Sequence, residues 1–137
     1  MIGLVITGHG SFASGMADAV NLLVGKPEKF IAVDYLQEDS TDELEIRLKK
    51  AIASLYGCNG ILIMTDIYSG QPCKIATQLA DKQRSNDATI RVLAGANLGM
   101  VMQANMARAY VSDVSDLANM ALEEAHRQLI MPSGVLR

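Results

Sequence analysis

Strand-like and helix-like segments alternate along this chain, and this alternation restricts its fold more than any other feature. Four short apolar, β-branched runs predict strands at residues 2–6, 30–35, 61–65 and 89–94. Parallel strands need crossover connections, which helices commonly supply. The pattern therefore predicts a doubly wound α/β fold: a mainly parallel sheet of about four to five strands in the order 2-1-3-4, with helices on both faces.

Five helices are expected between and after these strands. Apolar spacing predicts them at residues 11–24, from a cap at Ser40, Thr41 or Asp42 to about Leu55, and at residues 72–83, 98–109 and 115–130. The predicted buried stripes include Leu23 in the first helix and Leu122 and Leu129 in the last. Residues 1–131 are expected to form one domain, followed by a flexible C-terminal tail at 132–137.

Composition excludes several classes of function. The formal net charge is −3 over 137 residues, and no run of Lys or Arg is present, which argues against nucleic acid as a partner. The apolar runs are far shorter than the ~20 residues that cross a bilayer, and the first residues read as a strand. Two cysteines without a CxxC spacing predict reduced thiols. We therefore expect a cytoplasmic protein without a metal or cofactor.

Two residues that follow predicted strands stand out as candidates for chemistry. His9 follows the first strand and Asp66 follows the third. In the order 2-1-3-4 these strands are neighbours, and ligands bind beyond the carboxyl ends of such strands at the switch point. Taken separately, each residue could be an ordinary loop or turn residue. Their placement in one cleft, and the glycines on both sides of His9, favour a functional pair.

The pair is suited to nucleophilic chemistry at phosphorus. A carboxylate that accepts the N–H of a neutral imidazole selects its tautomer and stabilises the positive charge that develops during attack. Such a charge-assisted hydrogen bond is worth ~1.5–3 kcal/mol. Backbone amides near Gly10, Ser11 and Phe12, and near Gly70, are candidate phosphate-binding groups because a helix begins beside each set.

Three stretches carry a specific family resemblance. Residues 7–16 (TGHGSFASGM), 60–66 (GILIMTD) and 92–100 (VLAGANLGM) resemble the mannose-family EIIA component of the bacterial phosphoenolpyruvate-dependent sugar phosphotransferase system (PTS). The likeness covers nearly the whole chain.

The resemblance implies a phosphotransferase that works through a phosphohistidine. His9 would accept a phosphoryl group from HPr and pass it to EIIB, which serves the membrane components EIIC and EIID; the resemblance also implies a homodimer. Asp66 matches the family's histidine partner, and Asn97 lies in a loop at the same end of the sheet. The family serine after the second glycine is replaced here by Gln71, a further candidate for holding phosphate.

Other phosphoryl-handling classes fit less well. The related subunit that feeds a dihydroxyacetone kinase is the closest alternative, but it is expected to carry a Gly-rich acidic insert after the second strand, where this chain has residues 37–40 (QEDS). Histidine phosphatases need an Arg before the nucleophile, and here Thr7 and Gly8 precede His9. A receiver domain phosphorylated on Asp66 would need an acidic pair after the first strand. GHGSFASG also lacks the spacing of a nucleotide-binding loop.

Overall fold

The computed structural model describes residues 1–82 and 89–134 as four strands and five helices. In chain order these are β1 (Gly3–His9), α1 (Phe12–Val24), β2 (Phe30–Tyr35), α2 (Thr41–Ser54), β3 (Gly60–Thr65), α3 (Gln71–Lys82), β4 (Thr89–Leu93), α4 (Leu98–Ala107) and α5 (Val114–Arg127). The strands form one parallel sheet in the order β2-β1-β3-β4. The predicted fold class and strand order are confirmed.

Each face of the sheet carries its own apolar core. Side chains alternate across a strand, so Leu4 and Ile6 of β1 face α1, α4 and α5, whereas Val5 faces α2 and α3. The central strands β1 and β3 are buried on both faces, as expected where helices cover both sides. This alternation also decides to which side each residue at the strand ends points.

Three predicted core positions are wrong. Leu23 is 58% exposed, Leu122 is 38% exposed and Leu129 is 75% exposed. The buried face of α5 consists largely of small residues, Ala118, Ala121 and Ala125, and α5 ends at Arg127, so Leu129 lies beyond it. Helical periodicity identifies a face, but it does not define how far along the helix the packing continues.

Two predicted boundaries fall partly outside the described residues. The predicted third helix extends to residue 83, and the predicted tail includes residues 135–137, which the structure does not describe. Residues 132–134 are exposed and lie outside the helices. Ser40 is confirmed as the cap of α2, where its side chain accepts from the Glu43 amide and Glu43 reaches back in a capping box.

A buried guanidinium closes the amino end of the sheet. Arg108 follows α4, is 5% exposed, and donates to the carbonyl oxygens of Ile2 and Lys29 at 2.9 and 3.1 Å, and also to that of Glu28. Burial lowers the pKa of the guanidinium, but its several hydrogen bonds satisfy the donors. Arg108 thus joins the start of β1 to the segment before β2 at this end of the sheet.

Candidate active site

The two loops at the carboxyl ends of β1 and β3 meet around His9 and Asp66. Thr7 of β1 pairs with Thr65 of β3, so the residues that follow emerge side by side. Asp66 Oδ2 lies 2.8 Å from His9 Nδ1 and accepts the backbone N–H of His9 at 2.8 Å. The carboxylate thus holds both the ring and the backbone of the histidine. The predicted shared cleft is seen in the structure.

This geometry determines which ring nitrogen is free. The buried surroundings of Asp66 raise its pKa, but hydrogen bonds from the His9 amide and ring and from the Ile67 amide outweigh burial and lower the pKa below 3.8. An ionised carboxylate only accepts hydrogen bonds, so Nδ1 carries the proton. Nε2 then keeps its lone pair, and the His9 side chain is 45% exposed. In the neutral imidazole, Nε2 is therefore the ring nitrogen with the available lone pair.

The imidazole lies against the start of α3. His9 belongs to the strand face that includes Val5 and Thr7, which α2 and α3 cover. A Cβ placed on Gly70 would lie 2.3 Å from His9 Cε1 and 3.0 Å from Nε2. Only a residue without a side chain fits there. Gln71, the first residue of α3, is exposed next to it.

Phe12 lies on the other side of β1. A Cβ on Gly8 would lie 2.6 Å from the Phe12 ring and 2.9 Å from Asp66 Cγ. The Phe12 ring, the backbone at Gly8 and the Asp66 carboxyl group are therefore packed together. Phe12 supports the partner of the histidine through packing rather than by touching the free ring nitrogen.

The start of α1 is already occupied by groups from β2. The Gly10 amide donates to the Tyr35 carbonyl at 2.7 Å, and the Ser14 amide donates to Asp34 Oδ1 at 2.9 Å. Ser11 is exposed and its side chain makes no capping hydrogen bond. The predicted phosphate-binding roles of Gly10, Ser11, Phe12, Gly70 and Gln71 stay predictions, but the amides of Gly10 and Ser14 have partners.

Asn97 is the N-cap of α4, a role that fits its place directly before the predicted fourth helix. Its side chain caps α4 by accepting the Met100 amide at 3.0 Å, and its Nδ2 donates to the Ala125 carbonyl at 3.0 Å. Asn97 therefore joins the start of α4 to the end of α5, beside the site rather than in it.

Sequence reasoning missed two residues at the end of β2. The Tyr35 ring centroid lies 6.0 Å from that of His9, at an interplanar angle of 57°. Asp34 lies opposite Gly8 in the β1–β2 pairing, and Tyr35 lies opposite His9. The rule that selected His9 and Asp66, position at the carboxyl end of a parallel strand, would have selected these two if it had been applied to the second strand.

Exposed apolar side chains lie in the loops that follow β2 and β3. In the loop between β3 and α3, Ile67 is 54% exposed and Tyr68 is 85% exposed, and Leu36 after β2 is 36% exposed. Such a rim suits contact with a protein partner.

Within residues 1–82 and 89–134, no group of three or more His, Cys, Asp or Glu side chains is placed to hold a metal ion. In the same residues no helix is long and apolar enough to cross a membrane.

An exposed histidine that a carboxylate orients, at the carboxyl end of a parallel sheet, is chemically suited to carrying a phosphoryl group. Comparison with known families agrees: the model of the EIIA-man family, described as the PTS system fructose IIA component, matches residues 3–122. The chain belongs to this family of EIIA components and is a phosphocarrier component of a sugar phosphotransferase system.

Individual relatives are moderately similar. The chain is 26% identical over 120 residues to the PTS system fructose-specific EIIA component of Bacillus subtilis, covering 87% of this chain and 78% of that protein. It is 26% identical over 123 residues to the PTS system mannose-specific EIIAB component of Escherichia coli. That match covers 89% of this chain and 36% of the longer relative.

Solved structures support the fold. A phosphotransferase system component EIIA from Streptococcus agalactiae superposes with a TM-score of 0.91 at 26% identity, covering 98% of this chain and 100% of that chain. A mannose/sorbose specific IIA subunit from Enterococcus faecalis superposes with a TM-score of 0.82 at 23% identity, covering 98% and 97%. The second likeness is one of fold alone.

Proposed function

We propose that Nε2 of His9 is the atom that carries the phosphoryl group between HPr and EIIB. The observation that carries this proposal is the 2.8 Å contact between His9 Nδ1 and Asp66 Oδ2, which holds the proton of the neutral imidazole on Nδ1 and leaves the lone pair on Nε2, in a side chain that is 45% exposed. Attack by the Nε2 lone pair forms the N–P bond while the bond between phosphorus and HPr breaks. The reverse exchange on EIIB frees the imidazole.

Asp66 acts on the ring and not on phosphorus. When Nε2 is phosphorylated the imidazole gains positive charge, and the ionised carboxylate at Nδ1 stabilises that charge. Its lowered pKa keeps the carboxylate ionised at neutral pH. Its hydrogen bonds from Nδ1 and from the backbone amide of His9 together hold the ring in the position where a donor can reach Nε2.

The phosphoryl group is placed beside the start of α3. The ring lies against Gly70, which cannot cap the helix because it has no side chain. First-turn amides of a helix attract anions through unpaired N–H groups and the helix dipole. The Gly70 amide donates to the Ile67 carbonyl at 3.4 Å, so the Gln71 amide and the exposed Gln71 side chain are the groups best placed to bind the phosphoryl oxygens.

The partners and setting follow from family membership. HPr donates, EIIB accepts, and EIIC and EIID are reached indirectly in the membrane. We further propose a cytoplasmic homodimer in which residues 1–131 form the domain and residues 132–137 a tail. The connection between β2 and α2 spans residues 36–40, and it carries no Gly-rich insert, which favours a sugar system over a dihydroxyacetone kinase.

The proposal is tested by phosphorylation with radiolabelled phospho-HPr. The wild-type label is expected to be lost in acid and kept in alkali, as for a phosphoramidate, and to pass to a cognate EIIB. His9→Ala is expected to take up no label, and Asp66→Ala to slow transfer while its circular dichroism spectrum is unchanged. Label on another residue of the His9→Ala protein, or an acid-stable label on wild type, would overturn the assignment.

A further inference from the structure

A hydrogen bond to Asp34 links the end of β2 to the first turn of α1. Asp34 lies opposite Gly8 in the β1–β2 pairing, one position from the pair formed by His9 and Tyr35. Its Oδ1 accepts the Ser14 amide at 2.9 Å, and the residue is half-buried. A carboxylate from a neighbouring strand thus performs the capping that Ser11 does not.

This contact places a negative charge on one of the two helix ends next to the histidine. A helix N-terminus attracts an anion, and at α1 that anion belongs to the protein itself. The Gly10 amide is bonded to the Tyr35 carbonyl and the Ser14 amide to Asp34, so two of the amides at this end of α1 already have partners. Neighbouring parallel strands lie about 4.8 Å apart, which puts the carboxylate on the order of 10 Å from the histidine ring.

We propose that Asp34 is a positioning residue of the phosphocarrier, whose carboxylate occupies the start of α1 and repels the phosphoryl group on His9 towards α3. The inference rests on the proposed function, because it requires phosphate on His9. Repulsion between Asp34 and the phosphoryl group raises the free energy of the phosphorylated form. It therefore favours onward transfer over retention.

The effect expected from this charge is modest and sensitive to salt. At ~10 Å in a largely aqueous setting, removal of one negative charge near a doubly charged group shifts an equilibrium by about threefold. The Debye length is about 10 Å at 0.1 M salt and about 3 Å at 1 M salt. The shift in the phosphorylation equilibrium is thus expected at low salt and is expected to vanish at high salt. Salt does not affect a capping hydrogen bond in this way.

The experiment compares Asp34→Asn with wild type in a mixture of HPr and phospho-HPr of known ratio. Asn keeps an oxygen that accepts the Ser14 amide but removes the charge. We expect the equilibrium constant for phosphorylation of Asp34→Asn to rise about threefold at low salt, while its circular dichroism spectrum matches that of wild type. Asp34→Glu, which keeps the charge, is expected to stay at the wild-type equilibrium.

Asp18→Asn is the matched control. Asp18 is exposed further along α1, and its substitution changes the net charge by the same amount. It is expected to leave the equilibrium at the wild-type value. In Asp34→Ala the Ser14 amide is freed, and added inorganic phosphate is expected to shift its ¹⁵N resonance, which it does not do in wild type.

The outcomes separate this inference from the proposed function. The role of Asp34 would be overturned if, at low salt, the phosphorylation equilibrium constant of Asp34→Asn equalled that of wild type or shifted no more than that of Asp18→Asn. Either result would leave His9 as the carrier. If Asp34→Asn does not fold, Asp34→Glu provides the test. A phosphorylation equilibrium constant above the wild-type value in Asp34→Glu would also overturn the role of Asp34. Absence of label on His9 in wild type would instead overturn the proposed function.

Discussion

Two helices begin next to His9, and their first turns differ in what they offer an anion. At α1 the Gly10 and Ser14 amides are bonded to Tyr35 and Asp34 of the neighbouring strand. At α3 the preceding residue, Gly70, has no side chain, and the imidazole lies directly against it. Local sequence makes both loops look alike, since each pairs glycine with a helix start. Tertiary contacts make them different.

The pleat of β1 explains the difference. Gly8 and His9 are neighbours and so belong to opposite faces of the sheet. Gly8 meets Phe12 and the Asp66 carboxyl group on the α1 side, whereas His9 meets Gly70 on the α3 side. A shift of one residue in the strand would exchange the two helices. We therefore expect the phosphoryl group at the helix end towards which the reactive side chain turns.

The largest effect is expected from a methyl group at the start of α3. In Gly70→Ala the new Cβ would lie 2.3 Å from His9 Cε1, so the ring must move. A displacement of about 1 Å at a reacting group costs about 100-fold in rate, and we expect a loss of that size in phosphoryl transfer from phospho-HPr. Initial rates of labelling measure it.

Gly15→Ala provides the matched control in α1. A Cβ on Gly15 meets no atom within 4 Å, and the residue is exposed. We expect unchanged transfer and a gain of about 0.5–1 kcal/mol in the free energy of unfolding, because alanine favours helix. Equal transfer rates in the two variants would show that the start of α3 has no special relation to His9.

A smaller effect is expected when the charge behind the ring is removed. Asp66→Asn keeps an oxygen for one of the two His9 donors but not the ionic character of the bond. We expect a loss of about tenfold in transfer rate, the lower end of what a charge-assisted hydrogen bond supplies. Rapid-quench measurements with phospho-HPr would show whether the loss lies in the chemical step.

The same variant gives a test that depends on pH. The pKa of Asp66 is lowered in the folded protein, so the carboxylate adds stability that is fully present above its unfolded value near 4 and is lost as pH falls through the folded value. The stability difference between wild type and Asp66→Asn is expected to be constant above about pH 5 and to shrink below about pH 4. A difference that grows in acid would contradict the lowered pKa.

The smallest effects compare two serines at helix starts. Ser40 caps α2 through the Glu43 amide at 3.1 Å, whereas Ser11 makes no side-chain capping bond at α1. Ser40→Ala is expected to lower the free energy of unfolding by about 1 kcal/mol, and Ser11→Ala by less than about 0.5 kcal/mol. Urea unfolding measures both. A larger loss for Ser11→Ala would show that α1 is not capped from β2.

How well the sequence predicts a residue depends on whether its role is local. Ser40 followed three residues later by Glu43 predicts a cap because the capping box lies within four residues. Asp34 of β2 accepts the amide of Ser14, which lies 20 residues earlier in α1, and no spacing rule predicts such a contact between a strand and a helix. Leu122 and Leu129 show the same limit for burial, because solvent exposure depends on which elements cover a helix.

From the sequence alone, strand and helix periodicity and the parallel crossover rule determine the order β2-β1-β3-β4, and this order brings His9 and Asp66 to neighbouring strand ends. Only the tertiary structure decides that the ring turns towards Gly70 and that Asp34 occupies the start of α1. The physical reason is that periodicity reports which residues share a face, whereas the contacts at a strand end depend on register and on the side chains of other strands.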